Sequence, residues 1–216
     1  MYLRCFCKWA ASEDVGLIST NPTASFKMPK KPQAEHEPTV IPAKEIPLVL
    51  ASLERQNKSL PQWDLYAKFM LQTGMRTGEV RALTVKDRDG DRILVSKTFT
   101  QDHGLKLSTK TNKARWVPLN VVAREILESL QPVDGFYFPW TRRTFAGYFN
   151  SHMHSLHEQG VISHKYRPYD LRHTAISRWL ELGLSVAQCA SWAGNTPEVI
   201  FKHYCAVTFD SAMPVL

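Results

Sequence analysis

Apolar residues recur at helical spacing from the start of this chain. Leu3, Phe6, Trp9 and Ala10 fall on one face, which predicts an amphipathic helix over Met1 to Ile18 with Gly16 near its end. A lone helix cannot bury its own apolar face, so the segment is expected to pack against a domain outside this chain, making the chain a fragment of a longer protein. Between Asn21 and Pro42 the pattern stops, and Pro22, Pro29, Pro32, Pro38, Pro42 and a Lys-Lys pair give the composition of an extended linker. From Ala43 helical spacing returns, first in Ile46, Leu48 to Leu50 and Leu53. A second helix led by Pro61 follows, with Trp63, Tyr66, Ala67, Met70 and Leu71 on one side and Gly74 as its stop. Thr77 is the expected N-cap of the next short helix, with Glu79 in its first turn.

Arg92 to Phe99, Gly104 to Ser108 and Arg115 to Leu119 read as three short strands of one small antiparallel sheet. Helices resume at about Val121 to Leu130 and Arg142 to Gln159, the second with Phe145, Phe149, Met153 and Leu156 as its stripe. Three more follow. Asp170 is the expected cap of a run holding Leu171, Ala175, Trp179 and Leu182; Ser185 caps Val186 to Ala193, which stops at Gly194; and Thr196, Pro197 and Glu198 open a last helix through Tyr204. The pattern is that of a mostly helical α+β fold with a three-stranded antiparallel sheet.

Composition narrows the class. The 216 residues are 44% hydrophobic and 22% charged, close to globular averages, which excludes disordered, collagenous and coiled-coil chains. The formal net charge of +7 fits a polyanionic partner, nucleic acid first. The predicted sheet concentrates that charge: Lys97, Lys106, Lys110, Lys113 and Arg115 face only Asp102. Cys5, Cys7, Cys189 and Cys205 have neither disulfide-framework nor zinc spacing, and no apolar run is long enough to span a bilayer, so a cytoplasmic protein without membrane association is expected.

The candidate chemistry lies in arginines at defended positions. Arg76 stands at a helix entrance between two glycines, and Arg172 is expected in the first turn of its helix. A cation there opposes the macrodipole at a cost of about 0.3–1 kcal/mol unless an anion binds, which points to phosphate. A structural salt bridge or a solvated side chain remains the alternative for either arginine alone. His152, His154 and His157 do not complete a metal site, since only two share a helix face and no carboxylate or cysteine joins them; no metal or other cofactor is expected. Trp63, Trp179 and Trp192 read as core.

Four runs carry more. Thr73 to Leu83 (TGMRTGEVRAL), Thr109 to Leu119 (TKTNKARWVPL), Tyr169 to Thr174 (YDLRHT) and Trp192 to Tyr204 (WAGNTPEVIFKHY) stand in order, and together they resemble the tyrosine recombinases, or phage integrase family. The resemblance covers Ile41 to Tyr204. It implies that residues 1–20 are the terminal helix of a truncated core-binding domain, 21–42 a linker and 43–216 the catalytic domain of a site-specific DNA recombinase. It further implies that Arg76 and Arg172 grip the scissile phosphate, that Lys110 protonates the leaving oxygen and that Tyr204 is the nucleophile of a 3′-phosphotyrosine intermediate.

Two positions depart from the family pattern. Tyr169 stands where most members have histidine, and Asn195 where they have histidine or tryptophan. Each can donate a hydrogen bond to phosphate, but neither relays protons near neutral pH. His164 and His173 are the nearest histidines in sequence that could compensate, although a histidine in a helix's second turn ordinarily serves the core or a cap. The implied partner is double-stranded DNA, with a homotetramer on DNA for the full-length protein, a monomeric fragment, and a cytoplasmic, nucleoid-associated location. Two other readings stand beside it: a non-catalytic helix-turn-helix regulator built on Ser185 to Ala206, and a type IB topoisomerase-like enzyme.

Overall fold

Ser12, Glu13 and Asp14 end the first helix early. α1 runs Tyr2–Ala10, not to Ile18, because the Ser12 hydroxyl donates to the Trp9 carbonyl at 2.7 Å and the carboxylates beyond it would face the negative end of a longer helix. Cys7 and Ala10 of α1 are buried, whereas Leu3, Phe6 and Trp9, expected as its packing face, are exposed. The computed structural model describes residues 2–26, 38–54, 61–100, 104–108, 113–139 and 142–204. The chain divides into two units, Met1–His36 and Glu37–Leu216.

The second unit is built around α3 (Trp63–Thr73), which follows α2 (Ile46–Ser52). Trp63, Tyr66, Ala67, Phe69 and Met70 of α3 are all buried. The Tyr66 ring lies 4.5 Å from Phe145 and 5.2 Å from Phe138, edge-on to the latter as ring quadrupoles prefer. Phe145 and Phe149 come from α6 (Arg142–Glu158), and α3 also packs on α5 (Val121–Ser129) and α7 (Pro168–Glu181). Between α3 and the sheet sits the short α4 (Thr77–Arg81). Thr77 is its first helical residue and Arg76 its N-cap, one position earlier than the sequence pattern suggested, because Glu79 reaches back to the Arg76 N–H at 2.9 Å.

The expected strands divide between two ladders. β1 (Arg88–Asp89), β2 (Arg92–Val95) and β5 (Arg115–Pro118) form a three-stranded antiparallel sheet in the order β1-β2-β5, with Ile93 opposite Val117 and Val95 opposite Arg115. β3 (Thr98–Thr100) and β4 (Gly104–Lys106) pair only with each other. Residues 96 and 97 break the strand, and Lys97 is pinned to Asp87 at 2.8 Å. β3 instead lies on α4 at Gly78, where an added Cβ would come within 2.5 Å of the Phe99 carbonyl oxygen.

A second apolar cluster joins Ile176 of α7 to Cys189, Ala190 and Ala193 of α8 (Val186–Ala193) and to Ile200 and Tyr204 of α9 (Pro197–Tyr204). Ser185 caps α8 as expected, accepting the Gln188 N–H at 3.2 Å, and Gly194 ends it in the left-handed region at φ 66°. Gly74 ends α3 in the same way at φ 59°. At both glycines the backbone comes too close to a neighbour for a side chain: a Cβ on Gly74 would lie 2.5 Å from the Trp179 ring, and one on Gly194 would lie 2.7 Å from the Arg115 guanidinium.

Candidate active site

The two glycine-terminated helices each present a carbonyl to an arginine. Arg172 Nη1 donates to the Gly74 carbonyl at 2.6 Å, and Arg76 Nη2 donates to the Gly194 carbonyl at 2.9 Å. Helix C-termini concentrate unsatisfied carbonyls and negative potential, so both sites suit a cation.

Arg76 is held on three sides. Its Nη1 donates to Glu79 Oε1 at 2.8 Å and its Nη2 also donates to Asn195 Oδ1 at 3.0 Å, so the Asn195 side chain orients Arg76 through its oxygen. Glu79 is 1% exposed and also accepts from Arg115, at 3.1 Å from Nη1 and 2.8 Å from Nη2. Burial alone would raise this carboxyl, but the Arg115 hydrogen bonds and the charges of Arg115 and Arg76 outweigh it and hold Glu79 down to about 2. Arg115 also donates from Nε to the Trp192 carbonyl at 2.7 Å, which fixes the end of α8 against β5.

Arg172 is wholly buried. α7 begins at Pro168 with Arg167 as N-cap, and Asp170 is its third residue, accepting the Arg167 N–H at 2.7 Å. Arg172 therefore lies in the second turn, not the first, and Asp170 is not the cap. The cost of placing a cation here is less the macrodipole than burial, with Arg76 adding repulsion; together they lower Arg172 to about 10. Its Nε and Nη2 are buried with no hydrogen-bond partner among the described residues.

Tyr204 closes the group. It is the last residue of α9, 5% exposed, and its hydroxyl lies 2.6 Å from Nδ1 of His173. Burial pushes the phenol well above its ordinary range, while Arg172 and Arg76 pull it down. Tyr169 is 45% exposed; its ring stands edge-on to His173 at 4.8 Å, and the Arg172 guanidinium carbon lies 5.9 Å from it. Arg76, Tyr169, Arg172, Asn195 and Tyr204 are thus gathered in one place, whereas Lys110 lies outside the described residues.

Two residues of the cluster escaped the sequence reading, Glu79 being legible only as a first-turn carboxylate and Arg115 only as part of the basic sheet, whereas His173 was legible as one of two histidines that could compensate for Tyr169. The available signals were spacings: Glu79 three residues after Arg76, and His173 four residues, one helical turn, after Tyr169. His164 is exposed and its ring instead meets Tyr166 at 6.0 Å.

The sequence profile of the phage integrase family matches residues 39–210. A shufflon-specific DNA recombinase of Escherichia coli is 32% identical over 139 residues, covering 62% of this chain and 32% of that protein. The chain thus spans about a third of that relative's length. Among solved structures, the Tn1549 transposon integrase in complex with circular intermediate DNA superposes with a TM-score of 0.66 at 18% identity, over 82% of this chain and 66% of that one. The catalytic domain of bacteriophage HP1 integrase superposes with a TM-score of 0.56 at 20% identity, over 81% and 96%. At these identities the likeness concerns the fold. Among the described residues no helix is long and apolar enough to cross a membrane.

Proposed function

The chain belongs to the phage integrase family, and from that premise we propose that it carries the catalytic centre of a site-specific DNA recombinase that cuts and rejoins strands through Tyr204. The observation that carries this reading is Arg172, buried beside Arg76 and Tyr204 with two guanidinium nitrogens, Nε and Nη2, that have no acceptor among the described residues. Each such donor costs about 1–3 kcal/mol, and two neighbouring guanidiniums repel. A phosphodiester relieves both, since its non-bridging oxygens accept from planar guanidinium forks and its charge offsets theirs.

On this reading the reaction is a displacement at phosphorus. The Tyr204 oxygen attacks phosphorus, the bond to the 5′ oxygen breaks, and a 3′-phosphotyrosyl link retains the bond energy, so rejoining consumes no nucleotide. Arg76 and Arg172 stabilise the charge that grows on the non-bridging oxygens. Lys110 donates the proton that the leaving 5′ oxygen requires. Glu79, Arg115 and Asn195 hold Arg76 in position. The helix-turn-helix alternative gives this arginine cluster no purpose.

The partner is duplex DNA, bound mostly through phosphates and so with strong salt dependence. The complete protein assembles as a tetramer on two DNA sites, in the nucleoid, whereas this chain alone is monomeric. The test is incubation with a pool of nicked suicide duplexes, randomised on both sides of the nick, followed by a denaturing gel. A covalent protein–DNA adduct that maps to Tyr204 is expected; no adduct from the pool overturns the reading.

A further inference from the structure

We propose that His173 is the catalytic proton acceptor for Tyr204, filling from one helical turn further along α7 the proton-relay role that Tyr169 cannot perform. This rests on the recombinase reading. The geometry is direct: His173 Nδ1 and the Tyr204 hydroxyl are 2.6 Å apart, within the reach required of a general base. With the ring proton on Nε2, Nδ1 accepts the phenolic hydrogen bond and can take the proton.

The neighbourhood supports the assignment. Tyr169 offers a phenol, whose ordinary pKa near 10 makes it a poor base at neutral pH. Its ring packs edge-on against His173 at 4.8 Å and so fixes the imidazole plane facing α9. The His173 and Tyr204 rings are 5.6 Å apart, tilted by 40°. Tyr204 is buried, and burial outweighs the help its oxygen receives from Arg172 and Arg76, so the phenolate is not formed in advance and its proton must leave as the nucleophile attacks. Among the described residues, Arg172 of α7, Tyr169 of α7 and Arg76 at the entrance of α4 act electrostatically on the Tyr204 hydroxyl, and Tyr169 also meets the His173 ring.

The step balances. The Tyr204 O–H bond breaks, its electron pair forms the oxygen–phosphorus bond, and the proton passes to Nδ1, giving an imidazolium. The phosphorus–5′ oxygen bond breaks with its pair on the leaving oxygen, which is protonated separately by Lys110. In rejoining, the imidazolium returns its proton to the departing Tyr204 oxygen.

The test uses the whole chain and the suicide duplex selected from the randomised pool, in two forms: the ordinary phosphodiester, and one with a bridging 5′ sulfur, a leaving group that needs no proton. Single-turnover adduct formation is measured for wild type, His173→Gln and His173→Ala. His173→Gln keeps an acceptor oxygen but cannot take up the proton, so it should cleave roughly 100-fold or more slowly on both duplexes, within the usual range for general-base loss. Added imidazole should restore His173→Ala, because the lost function is chemical. Three results overturn the proposal: wild-type rates in His173→Gln, recovery of His173→Gln on the sulfur duplex, which would make His173 the donor to the leaving group, or no response of His173→Ala to imidazole. Absence of any adduct with wild type instead overturns the recombinase reading, and this inference with it.

Discussion

Arg115 grips Glu79 with both terminal nitrogens, at 3.1 and 2.8 Å, and so ties β5 to the helix entrance that carries Arg76. The carboxylate is buried between two guanidiniums, and removing it strands both. Glu79→Ala should cost about 3–5 kcal/mol in urea unfolding and abolish adduct formation. The pH dependence has a definite sign. Because Glu79 is held at about 2 against an ordinary 4.5, its contribution is fully present above about 4.5 and is lost as pH falls toward 2. That contribution is roughly 3 kcal/mol. The stability difference between wild type and Glu79→Gln should therefore shrink across that window; a constant difference would refute the assignment.

Gly194→Ala should be worse than its size implies. The left-handed backbone at φ 66° costs a side chain about 1–2 kcal/mol, and the new methyl would meet the Arg115 guanidinium at 2.7 Å. Thermal unfolding should shift down, and cleavage should fall further than DNA affinity because Arg76 loses its seat. Unchanged cleavage would show that the Gly194 carbonyl does not position Arg76.

Tyr204→Phe should abolish the covalent adduct while leaving DNA affinity within about twofold, since one hydroxyl leaves a surface dominated by phosphate contacts. An adduct that survives would move the nucleophile elsewhere. Tyr166 is a poor substitute: burial and its 2.6 Å hydrogen bond to Glu45 push it up to about 12.

If the exposed Tyr169 hydroxyl donates to the phosphate, Tyr169→Phe should slow cleavage by about 10–100-fold, the loss of one charge-assisted hydrogen bond worth roughly 1.5–3 kcal/mol in the transition state. Tyr169→His should retain substantial activity and introduce a new pH dependence. Wild-type rates in Tyr169→Phe would leave the residue only its packing against His173.

Chelation should leave adduct formation unchanged if, as the recombinase reading has it, Arg76, Arg172 and Lys110 supply the positive charge at the phosphate. Loss of adduct in EDTA with recovery in magnesium would contradict this.

What the sequence made legible were features encoded locally. Gly74, Ser185 and Gly194 mark helix ends through their own backbone and side-chain chemistry, and the apolar stripes of α3 and α6 point to the core they form. What it concealed depends on distant partners. Glu79 and Arg115 are 36 residues apart on a helix and a strand, and nothing in either local pattern announces the pair. The splitting of the strands turns on Lys97 finding Asp87 and on the missing side chain of Gly78, both tertiary facts. The early end of α1 rests on one serine and two acids, a weaker local signal than the apolar spacing that continues past them. His173 stayed ambiguous, since one spacing serves a core histidine and a site histidine equally.

The Gly74 carbonyl that seats Arg172 is a dipole and not a counter-ion. A carboxylate in its place would aim the guanidinium as well, but it would cancel much of the field felt by an approaching anion and would release its hold in acid. A peptide carbonyl has no net charge and does not titrate, so it fixes direction while leaving the cation undiluted. The end of α3 thus separates orientation from neutralisation, and the pull of Arg172 on an anion does not depend on the protonation state of the group that aims it, as it would for a guanidinium held by Glu79.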